Sequence, residues 1–325
     1  MKNKVLNVVF ATDSNGIGSA CVAVASLVRA SKNGRPLHII IFNDGLDGDA
    51  EKSLLSATEG FDFVKIEFVD IRVPLAKHLD FLRSNSKQWA YLTWARCFID
   101  TILPGLDGNV LYLDTDVFVV DDVSPLLDTD IGENIFAAVP ESIFETSQGR
   151  YEQIGLPKDV PFYFNAGVLM FNIPAYKKAG GGEKVMAIAD EIRDRLAAPD
   201  QDVLNLMAGG KVFALHPRWN CNDGHLDRQF KFSLKDGALY RGNPTRKILE
   251  AVLSPGILHF QGKSKPWRQN HRPERKRYFR MMKKLGYSKT FLPGASPAKL
   301  LGMVFFDVYH ALLKAIARLR LAIGR

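Results

Sequence analysis

Two aspartates one residue apart, Asp114 and Asp116, constrain this chain more than any other feature. They directly follow the apolar run 110–113, and a second apolar run, 117–120, begins immediately after them. A continuous apolar run of this kind is typical of a strand buried on both faces of a parallel sheet. If the chain stays extended, the two carboxylates point to the same side, where a cation would relieve their repulsion. The pattern predicts a site for a hard divalent ion, Mn²⁺ or Mg²⁺, shared with a phosphate group.

Two other interpretations of the same pair are weaker. Ordinary carboxylates in a loop after a strand would be solvated, whereas apolar sequence flanks this pair on both sides. Phosphatases with an aspartate nucleophile carry Asp-x-Asp-x followed by Thr or Val, usually after an early strand, but Phe118 occupies the fifth position here. The metal interpretation is therefore favoured, and a motif of this kind remains a hypothesis until its surroundings are known.

Length and cysteine content favour an intracellular globular protein. The chain has 325 residues, enough for one large α/β domain and an appendage, with 46% apolar and 24% charged residues. Its three cysteines are far apart and lack the spacing of a zinc site, which indicates reduced thiols in a cytosolic protein. The apolar run near the N-terminus is too short for a secretory signal and is interrupted by Asn7 and Asp13, so it predicts a first strand.

The spacing of apolar segments predicts the fold class. Apolar runs typical of buried strands alternate with helical patterns, and the intervening segments are long enough for right-handed βαβ crossovers. We therefore expect an α/β domain with a mainly parallel central sheet. The predicted strands are 5–10, 37–42, 63–69, 110–113, 136–139, 163–172, 212–215 and 257–260. The strand at 163–172 is expected to be entered through a small corner at residues 165–167, where the backbone can approach a ligand closely.

Polar residues follow several of these strands. Asp13 and Asn15 follow the first one, where they suit hydrogen bonding to a base or ribose; Asp13 is equally suited to capping the next helix. Asp200 looks like the N-cap of a helix, although the Asp-Gln-Asp sequence is more polar than a cap requires. His259 lies in the last strand, as a further metal ligand or as a hydrogen-bonded core histidine.

A glycine- and lysine-containing loop follows the last strand. Gly262 with Lys263 and Lys265 suits phosphate binding. The segment 89–103 is apolar on nearly all sides and predicts a buried helix directly before the aspartate strand. Arg96 is its only cation, and a lone arginine there needs an acidic partner. We expect that partner to be the Asp114/Asp116 pair or a diphosphate; the alternative is a structural ion pair with Asp100 or Asp121.

Six segments in this order resemble glycosyltransferase family 8, the retaining enzymes that use nucleotide sugars and include glycogenin and bacterial lipopolysaccharide glucosyl- and galactosyltransferases. The resemblance covers residues 5–267 and implies a single Rossmann-like nucleotide-sugar-binding domain of the GT-A type. The matching segments are ATDSN at 11–15, Arg96, LYLDTD at 111–116, YFNAGVLMFN at 163–172, DQDVLN at 200–205 and HFQGKSKPW at 259–267.

The resemblance also implies roles for individual residues. The metal ion, Mn²⁺ or as a substitute Mg²⁺, would be held on the diphosphate of a UDP-sugar by Asp114, Asp116 and His259. The residues expected to bind the donor are Asp13 and Asn15 at the uridine, Arg96 at the phosphate and sugar, Thr115 beside the metal, and Gly262 and Lys265 at the diphosphate. Those expected around the transferred sugar are Asn165, Asp200 and Gln201.

The implied reaction is transfer of glucose or galactose from UDP to a saccharide, with retention of configuration. A double displacement needs a carboxylate nucleophile, and Gln201 is an amide, so we favour departure and attack on the same face, with Asp200 orienting sugar hydroxyls. The expected acceptor is a lipopolysaccharide core or another lipid-linked glycan. A self-glucosylating enzyme of the glycogenin kind and a binding protein without transferase activity are the alternatives.

Charge is distributed unevenly and sets the C-terminal segment apart. Residues 263–325 contain 16 Lys and Arg against two acids, whereas residues 1–262 have 27 Lys and Arg against 33 acids. We therefore divide the chain into a catalytic domain, 1–267, and a basic helical tail, 268–325. The tail predicts an anionic surface as partner, and it lacks a nucleic-acid-binding motif.

The tail contains a long helical pattern from 296 onward, with Asp307, Lys314 and Arg318 on one stripe and apolar residues around the rest. These charges interrupt the apolar sequence that a membrane span needs. We expect a monotopic anchor that holds the enzyme at the cytoplasmic face of the inner membrane. The alternative is packing of the apolar face on the catalytic domain or on a second subunit.

Overall fold

A computed structural model describes residues 4–86, 91–141, 148–222, 245–262, 265–267, 274–287 and 297–323. The strands are β1 Leu6–Ala11, β2 Leu37–Asn43, β3 Val64–Asp70, β4 Asn109–Leu113, β5 Val117–Val119, β6 Phe136–Pro140, β7 Phe164–Asn172, β8 Val212–Ala214, β9 Cys221–Asn222 and β10 Ile257–His259. The α-helices are α1 Ile17–Ala30, α2 Gly48–Ser56, α3 Leu79–Ser84, α4 Ile99–Ile102, α5 Ser124–Leu127, α6 Gln148–Ile154, α7 Ile173–Lys178, α8 Gly181–Glu191, α9 Pro199–Ala208, α10 Thr245–Leu253, α11 Arg275–Lys284 and α12 Pro297–Ala322.

Seven strands form the central sheet in the order β3-β2-β1-β4-β7-β6-β8. β1 pairs in parallel with both β2 and β4, and β2 pairs in parallel with β3. β7 runs antiparallel to β4 and β6, while β8 is parallel to β6. Six of these strands therefore share one direction, and the prediction of an α/β fold with a mainly parallel sheet is confirmed.

The central strands are buried on both faces, as their apolar runs predict. Along β1, Val8 and Phe10 belong to one core cluster and Val9 to the other, because alternate side chains leave opposite faces of the sheet. β4 divides in the same way, with Leu111 on the first face and Tyr112 on the second. Different helices therefore pack against the two faces of the sheet.

A second, three-stranded sheet lies in the order β5-β10-β9. β10 runs antiparallel to β5 and parallel to β9. The sequence does not predict this sheet, because each of its strands has only two or three residues. This small sheet places β10, which comes late in the chain, beside the segment that follows β4.

The segment predicted as a buried helix before β4 is less regular than expected. Residues 91–98 form a 3₁₀ helix that continues into the short helix α4. Leu92, Trp94 and Phe98 are buried in it, so the burial agrees with the prediction. Residues 89 and 90, with which the predicted helix begins, lie outside the described part of the chain.

The C-terminal helices are attached to the body of the protein. In α11, Tyr278, Met281 and Met282 are buried in the core cluster that includes α1. In α12, Leu313 and Ala317 are buried in the same cluster. The ion pairs between α12 and the start of α11 join Asp307 to Arg275 at 2.6 Å and to Lys276 at 2.8 Å, and Lys314 to Glu274.

Candidate active site

The predicted site residues cluster at one edge of the central sheet. After β1 the chain builds β2 and β3 on one side, and it later returns to place β4 on the other side of β1. The carboxyl ends of β1 and β4 therefore lie next to each other where the winding direction reverses. In open α/β sheets, ligands bind in the crevice at this point. Asp13 follows β1 there, and Asp114 follows β4.

Asp114, Asp116 and His259 come together in three dimensions. One potential ligand atom from each lies within 4.8 Å of the others. The chain does not stay extended through the aspartate pair, as the sequence interpretation assumed; it turns there between β4 and β5. The carboxylates nevertheless converge on His259, because His259 in β10 pairs antiparallel with Val117, the residue after Asp116.

The side chains of this cluster fit a divalent ion. Two carboxylates and an imidazole are a suitable donor set for Mn²⁺. Asp116 Oδ1 is buried and accepts no well-formed hydrogen bond from the described residues, although it lies 3.2 Å from His259 Nε2. Gly167 in β7 leaves room beside the cluster, because a Cβ there would fall against the His259 ring and 2.7 Å from Asp114 Oδ2.

Cations surround Asp116 and determine its charge. Burial alone would raise the pKa of Asp116, but Lys265 and His259 lower it well below the usual range. Lys265 donates hydrogen bonds to Asp116 and, at 2.8 Å, to the carbonyl oxygen of Phe260. Burial would lower the pKa of His259, but Asp116 raises it instead. Asp116 is therefore held as an anion among groups that stabilise negative charge.

Arg96 links this cluster to the neighbouring helix α9. Its side chain is 3% exposed, with one guanidinium nitrogen 2.6 Å from Asp114 Oδ1 and Nε 3.1 Å from Asp200 Oδ2. The guanidinium also lies over the Tyr112 ring, 4.3 Å from its centroid. The acidic partner is thus Asp114 of the expected aspartate pair, together with Asp200. Asp100 and Asp121 are not its partners: Asp100 accepts from Gly182 N, and Asp121 pairs with Lys32 and Arg218.

Asp200 is a buried carboxylate in the first turn of α9. It is not the N-cap, as the sequence suggested: α9 begins at Pro199, with Ala198 at the cap position. The backbone N–H groups of Ala197 and Ala198 are bound instead by Asp202 Oδ2, each at 2.9 Å. Burial raises the pKa of Asp200 to about 6, Arg96 opposes the rise, and Asp114 adds to it.

Gln201 and Asn165 are held by the protein on both sides of their amide groups. Gln201 Oε1 accepts from Ala166 N at 2.9 Å, and its Nε2 donates to Tyr163 Oη at 3.2 Å. Asn165 Nδ2 donates to Glu141 at 2.7 Å and to Gln261 at 3.0 Å. Both residues lie close to the metal-ligand cluster, and their geometry is fixed before any ligand binds.

The remaining predicted donor-binding residues lie around the same crevice. Asp13 Oδ1 accepts from Gly16 N at 2.9 Å, so its capping role is real, and Asn15 is exposed in the 3₁₀ turn that Asp13 caps. Thr115 is half-buried between the two aspartates. Gly262 follows β10 with φ of 77°, a left-handed conformation that favours glycine. Lys263 lies outside the described residues.

Three polar residues of this region were not predicted from the sequence. Glu141 (2% exposed), Asn220 (0%) and Gln261 join Asn165 in one hydrogen-bond network. Glu141 follows β6 directly, and a carboxylate at the end of a strand is the same signal that identified Asp114. Asn220 gave no signal of its own, because a single asparagine in a loop is an ordinary turn residue.

Comparisons with known proteins agree with this arrangement. General stress protein A of Bacillus subtilis is 28% identical over 287 residues, which cover 86% of this chain and 94% of the relative. Lipopolysaccharide 1,3-galactosyltransferase of Salmonella typhimurium is 26% identical over 266 residues, covering 80% of this chain and 72% of the relative.

Solved structures show the same fold. The galactosyltransferase LgtC, crystallised with donor and acceptor sugar analogues, superposes with a TM-score of 0.72 at 25% identity, covering 90% of this chain and all of that one. This similarity confirms the predicted GT-A architecture. The sequence model of "Glycosyl transferase family 8" matches residues 7–271. The chain therefore belongs to glycosyl transferase family 8 and is a glycosyltransferase.

Proposed function

We propose that this enzyme transfers glucose or galactose from a UDP-sugar to a saccharide, with Mn²⁺ bound to the diphosphate and with retention of configuration. The observation that carries the proposal is the convergence of Asp114, Asp116 and His259 within 4.8 Å at the carboxyl edge of the sheet. Mg²⁺ is the expected substitute for Mn²⁺, because the two carboxylates offer the same hard oxygen ligands to both ions.

The cations of the site suit departure of a nucleoside diphosphate. Breaking the bond between sugar and phosphate places negative charge on the leaving group, and groups fixed in advance stabilise such charge efficiently. A metal ion, when bound, would supply part of this stabilisation. Lys265 would release Asp116 and donate to the diphosphate instead, since its amine already lies beside the metal ligands. Gly262 gives the diphosphate close access to the backbone of the same loop.

The surroundings of Asp200 and Gln201 support attack on the same face of the sugar that the diphosphate leaves. Gln201 is an amide engaged at both ends, and amides are poor nucleophiles. Asp200 is paired with Arg96 at 3.1 Å, which suits a carboxylate that accepts hydrogen bonds from sugar hydroxyls. In this mechanism a leaving phosphate oxygen takes the proton from the attacking hydroxyl, so no covalent intermediate with the enzyme is needed.

The donor is tested by incubating the enzyme and Mn²⁺ with a panel of nucleotide sugars and measuring the nucleotide released. We expect release from UDP-glucose or UDP-galactose, and slower release when Asp13 is replaced by Ala. Asp47→Ala is the matched control, because Asp47 caps α2 as Asp13 caps its turn but lies outside the crevice. Preference for a GDP- or CMP-sugar would contradict the assignment of Asp13 and Asn15 to the uridine.

The proposed acceptor is a lipopolysaccharide core or another lipid-linked glycan. The support is that three of the relatives are named as lipopolysaccharide glycosyltransferases, one from Salmonella typhimurium and two from Escherichia coli. Such an acceptor sits at a membrane surface, so the enzyme needs a way to reach it. The two C-terminal helices have surfaces of the required chemistry.

The exposed side chains of α11 are all cationic: Lys276, Arg277, Arg280, Lys283 and Lys284. The exposed surface of α12 is apolar apart from Arg318, and its larger apolar side chains are Leu301, Val304, Phe305, Val308, Tyr309, Leu312, Ile316 and Leu319. The charged residues Asp307 and Lys314 face α11 instead of solvent. In the described part of the chain, no helix is long and apolar enough to span a bilayer.

We therefore propose peripheral binding to the cytoplasmic face of the inner membrane through residues 268–325. The cations would meet anionic headgroups, each contributing about 1 kcal/mol near the surface. The apolar face of α12 would enter the interface between headgroups and acyl chains. The ion pairs to Glu274 and Arg275 support this orientation, because they bind Asp307 and Lys314 of α12 to the protein and leave the apolar side chains outward.

A further inference from the structure

The His259 ring is held from behind by a buried asparagine. Asn220, 0% exposed, lies in the 3₁₀ turn that precedes β9. Its Oδ1 is 2.8 Å from His259 Nδ1. The other ring nitrogen, Nε2, is 3.2 Å from Asp116 Oδ1 and 3.8 Å from Asp114 Oδ2. One nitrogen of the imidazole therefore faces the protein and the other faces the carboxylate pair.

A backbone group fixes the direction of this hydrogen-bond chain. The N–H of Gly167 donates to Asn165 Oδ1 at 3.0 Å, and a backbone N–H can only donate. Asn165 Oδ1 is therefore the acceptor end of its amide, and Nδ2 points to the acceptors Glu141 and Gln261. The orientation of Asn165 is thus determined by its surroundings, independently of any ligand.

The orientation of Asn165 in turn sets that of Asn220 and His259. Asn220 Nδ2 donates to Asn165 Oδ1 at 2.8 Å, so Asn220 Oδ1 is the atom that faces the ring. That oxygen can only accept, which places a proton on His259 Nδ1. In the neutral ring, Nε2 then carries the lone pair, directed towards Asp114 and Asp116.

We propose that Asn220 is a positioning residue: it fixes the tautomer and ring orientation in which His259 binds the divalent ion, and it couples that ligand to Asn165 near the transferred sugar. This inference rests on the proposed metal site. Groups that accept from the second nitrogen of a metal-binding histidine generally orient the ring, and their loss typically weakens metal binding by about 10–100-fold.

The test is direct measurement of Mn²⁺ binding, without donor sugar, by calorimetry or electron paramagnetic resonance. Asn220→Ala removes both hydrogen bonds, and we expect Mn²⁺ affinity to fall about 10–100-fold. Asn43→Ala is the matched control, because Asn43 is also buried (4% exposed) and hydrogen-bonded, but at the end of β2 outside the network. Its Mn²⁺ affinity should equal that of the wild type.

A second variant separates the effects of the two Asn220 hydrogen bonds, and it tests the proposal if Asn220→Ala does not fold. In Asn220→Asp, a carboxylate oxygen still accepts from His259 Nδ1–H, but Asn165 Oδ1 loses the hydrogen bond from position 220 and keeps only the one from Gly167 N. We expect Mn²⁺ affinity close to that of the wild type together with a raised KM for the donor sugar. A merely structural asparagine would not produce this difference between metal affinity and KM.

The outcomes distinguish this inference from the proposed function. If the wild-type protein binds no Mn²⁺, the metal site itself is wrong. If the wild type binds Mn²⁺ and Asn220→Ala binds it equally well, or if Asn43→Ala loses as much affinity as Asn220→Ala, the positioning role is wrong. Loss of Mn²⁺ affinity in Asn220→Asp as large as the loss in Asn220→Ala would also contradict it.

Discussion

At the scale of single residues, the buried ion pair of Arg96 and Asp200 determines at which pH Asp200 is charged. An isolated buried carboxylate is unstable as an anion, and Arg96 compensates only part of that cost, because the pKa of Asp200 still rises to about 6. Arg96 remains cationic, since Asp114 and Asp200 raise its pKa although burial alone would lower it. The protonation state of Asp200 therefore changes within an experimentally accessible pH range.

This pKa predicts a low-pH limb in the rate profile. As pH falls through about 6, Asp200 takes up a proton and loses the charge with which it orients sugar hydroxyls. We expect kcat/KM, which reports groups of the free enzyme, to fall about fivefold between pH 6 and pH 5. Initial rates of UDP release measured across pH 4.5–8 with saturating Mn²⁺ provide the check.

Asp200→Asn is the diagnostic variant for that profile. It should be slower than the wild type at pH 8 and should lack the limb near pH 6, because asparagine does not titrate. The same limb in the variant would assign it to another group. Ionisation of Asp200 affects stability in the opposite direction to activity. Because its pKa is raised above 3.8 in the folded state, its contribution to the free energy of unfolding decreases as pH rises from about 4 to 6.

Some site residues were predictable because each follows a strand or belongs to a dense motif. Asp114, Asp116 and His259 are of this kind, and the structure brings them together. Glu141 also follows a strand, but a single carboxylate at that place has no second carboxylate beside it and forms no recognisable motif. Asn220 could not have been identified, because its importance depends on a contact with His259, 39 residues away along the chain.

At the scale of elements, β7 shows what an apolar pattern cannot specify. Its burial was predicted, yet a run buried on both faces has the same composition in either direction, and β7 proves to be antiparallel to β4. Residues 165–167 were predicted as a corner leading into the strand. They lie within β7, where Gly167 gives the predicted close approach, towards the Asp114 and His259 side chains.

The close approach of β7 yields a test of site geometry. Gly167→Ala should displace the His259 ring or Asp114, because the added Cβ has no room beside them. We expect a stability loss of about 1–3 kcal/mol from overpacking and a loss of Mn²⁺ affinity of about tenfold or more. Thermal unfolding and Mn²⁺ titration measure the two effects separately.

Gly105→Ala is the matched control for this variant, since a Cβ at Gly105 meets nothing within 4 Å and its φ is not left-handed. It should leave Mn²⁺ affinity and sugar transfer unchanged. Normal Mn²⁺ affinity in Gly167→Ala would show that β7 does not determine the positions of the metal ligands.

At the scale of the whole molecule, the C-terminal helices combine two properties that the sequence analysis had set against each other. The tail was predicted either to bind a membrane or to pack on the domain. The structure shows packing: Leu313 and Ala317 of α12 are buried, and Tyr278 of α11 is 1% exposed. The opposite face of α12 remains apolar and exposed, so its membrane role stays a prediction.

Point substitutions test that role better than truncation, because removing α12 would expose the buried core beneath it. The combined variant Phe305→Ser, Leu312→Ser and Leu319→Ser changes side chains that are 66%, 59% and 63% exposed. Full burial of each such side chain is worth about 1.5–3 kcal/mol. We therefore expect sedimentation with anionic vesicles to weaken by about tenfold or more, with thermal stability unchanged.

Leu55→Ser provides a control for this experiment, since Leu55 is a 48% exposed apolar residue on α2, away from the tail. It should sediment with vesicles as the wild type does. Unchanged vesicle binding in the triple variant would contradict the anchor. If the wild type self-associates and the triple variant does not, while vesicle binding is the same in both, the apolar face instead packs against another copy of the chain.

The central claim, metal-dependent sugar transfer at the Asp114, Asp116 and His259 cluster, is tested most directly by Asp116→Asn. This variant keeps the shape of the side chain and removes its charge, and Asp49→Asn is the control, as an exposed carboxylate on α2. UDP release and sugar transfer are measured in metal-free buffer and again after adding Mn²⁺. We predict that the wild type and Asp49→Asn transfer sugar only with the ion, and that folded Asp116→Asn transfers at most about 1% as fast. Transfer by Asp116→Asn at the wild-type rate, or undiminished transfer by the wild type without metal, would contradict the account.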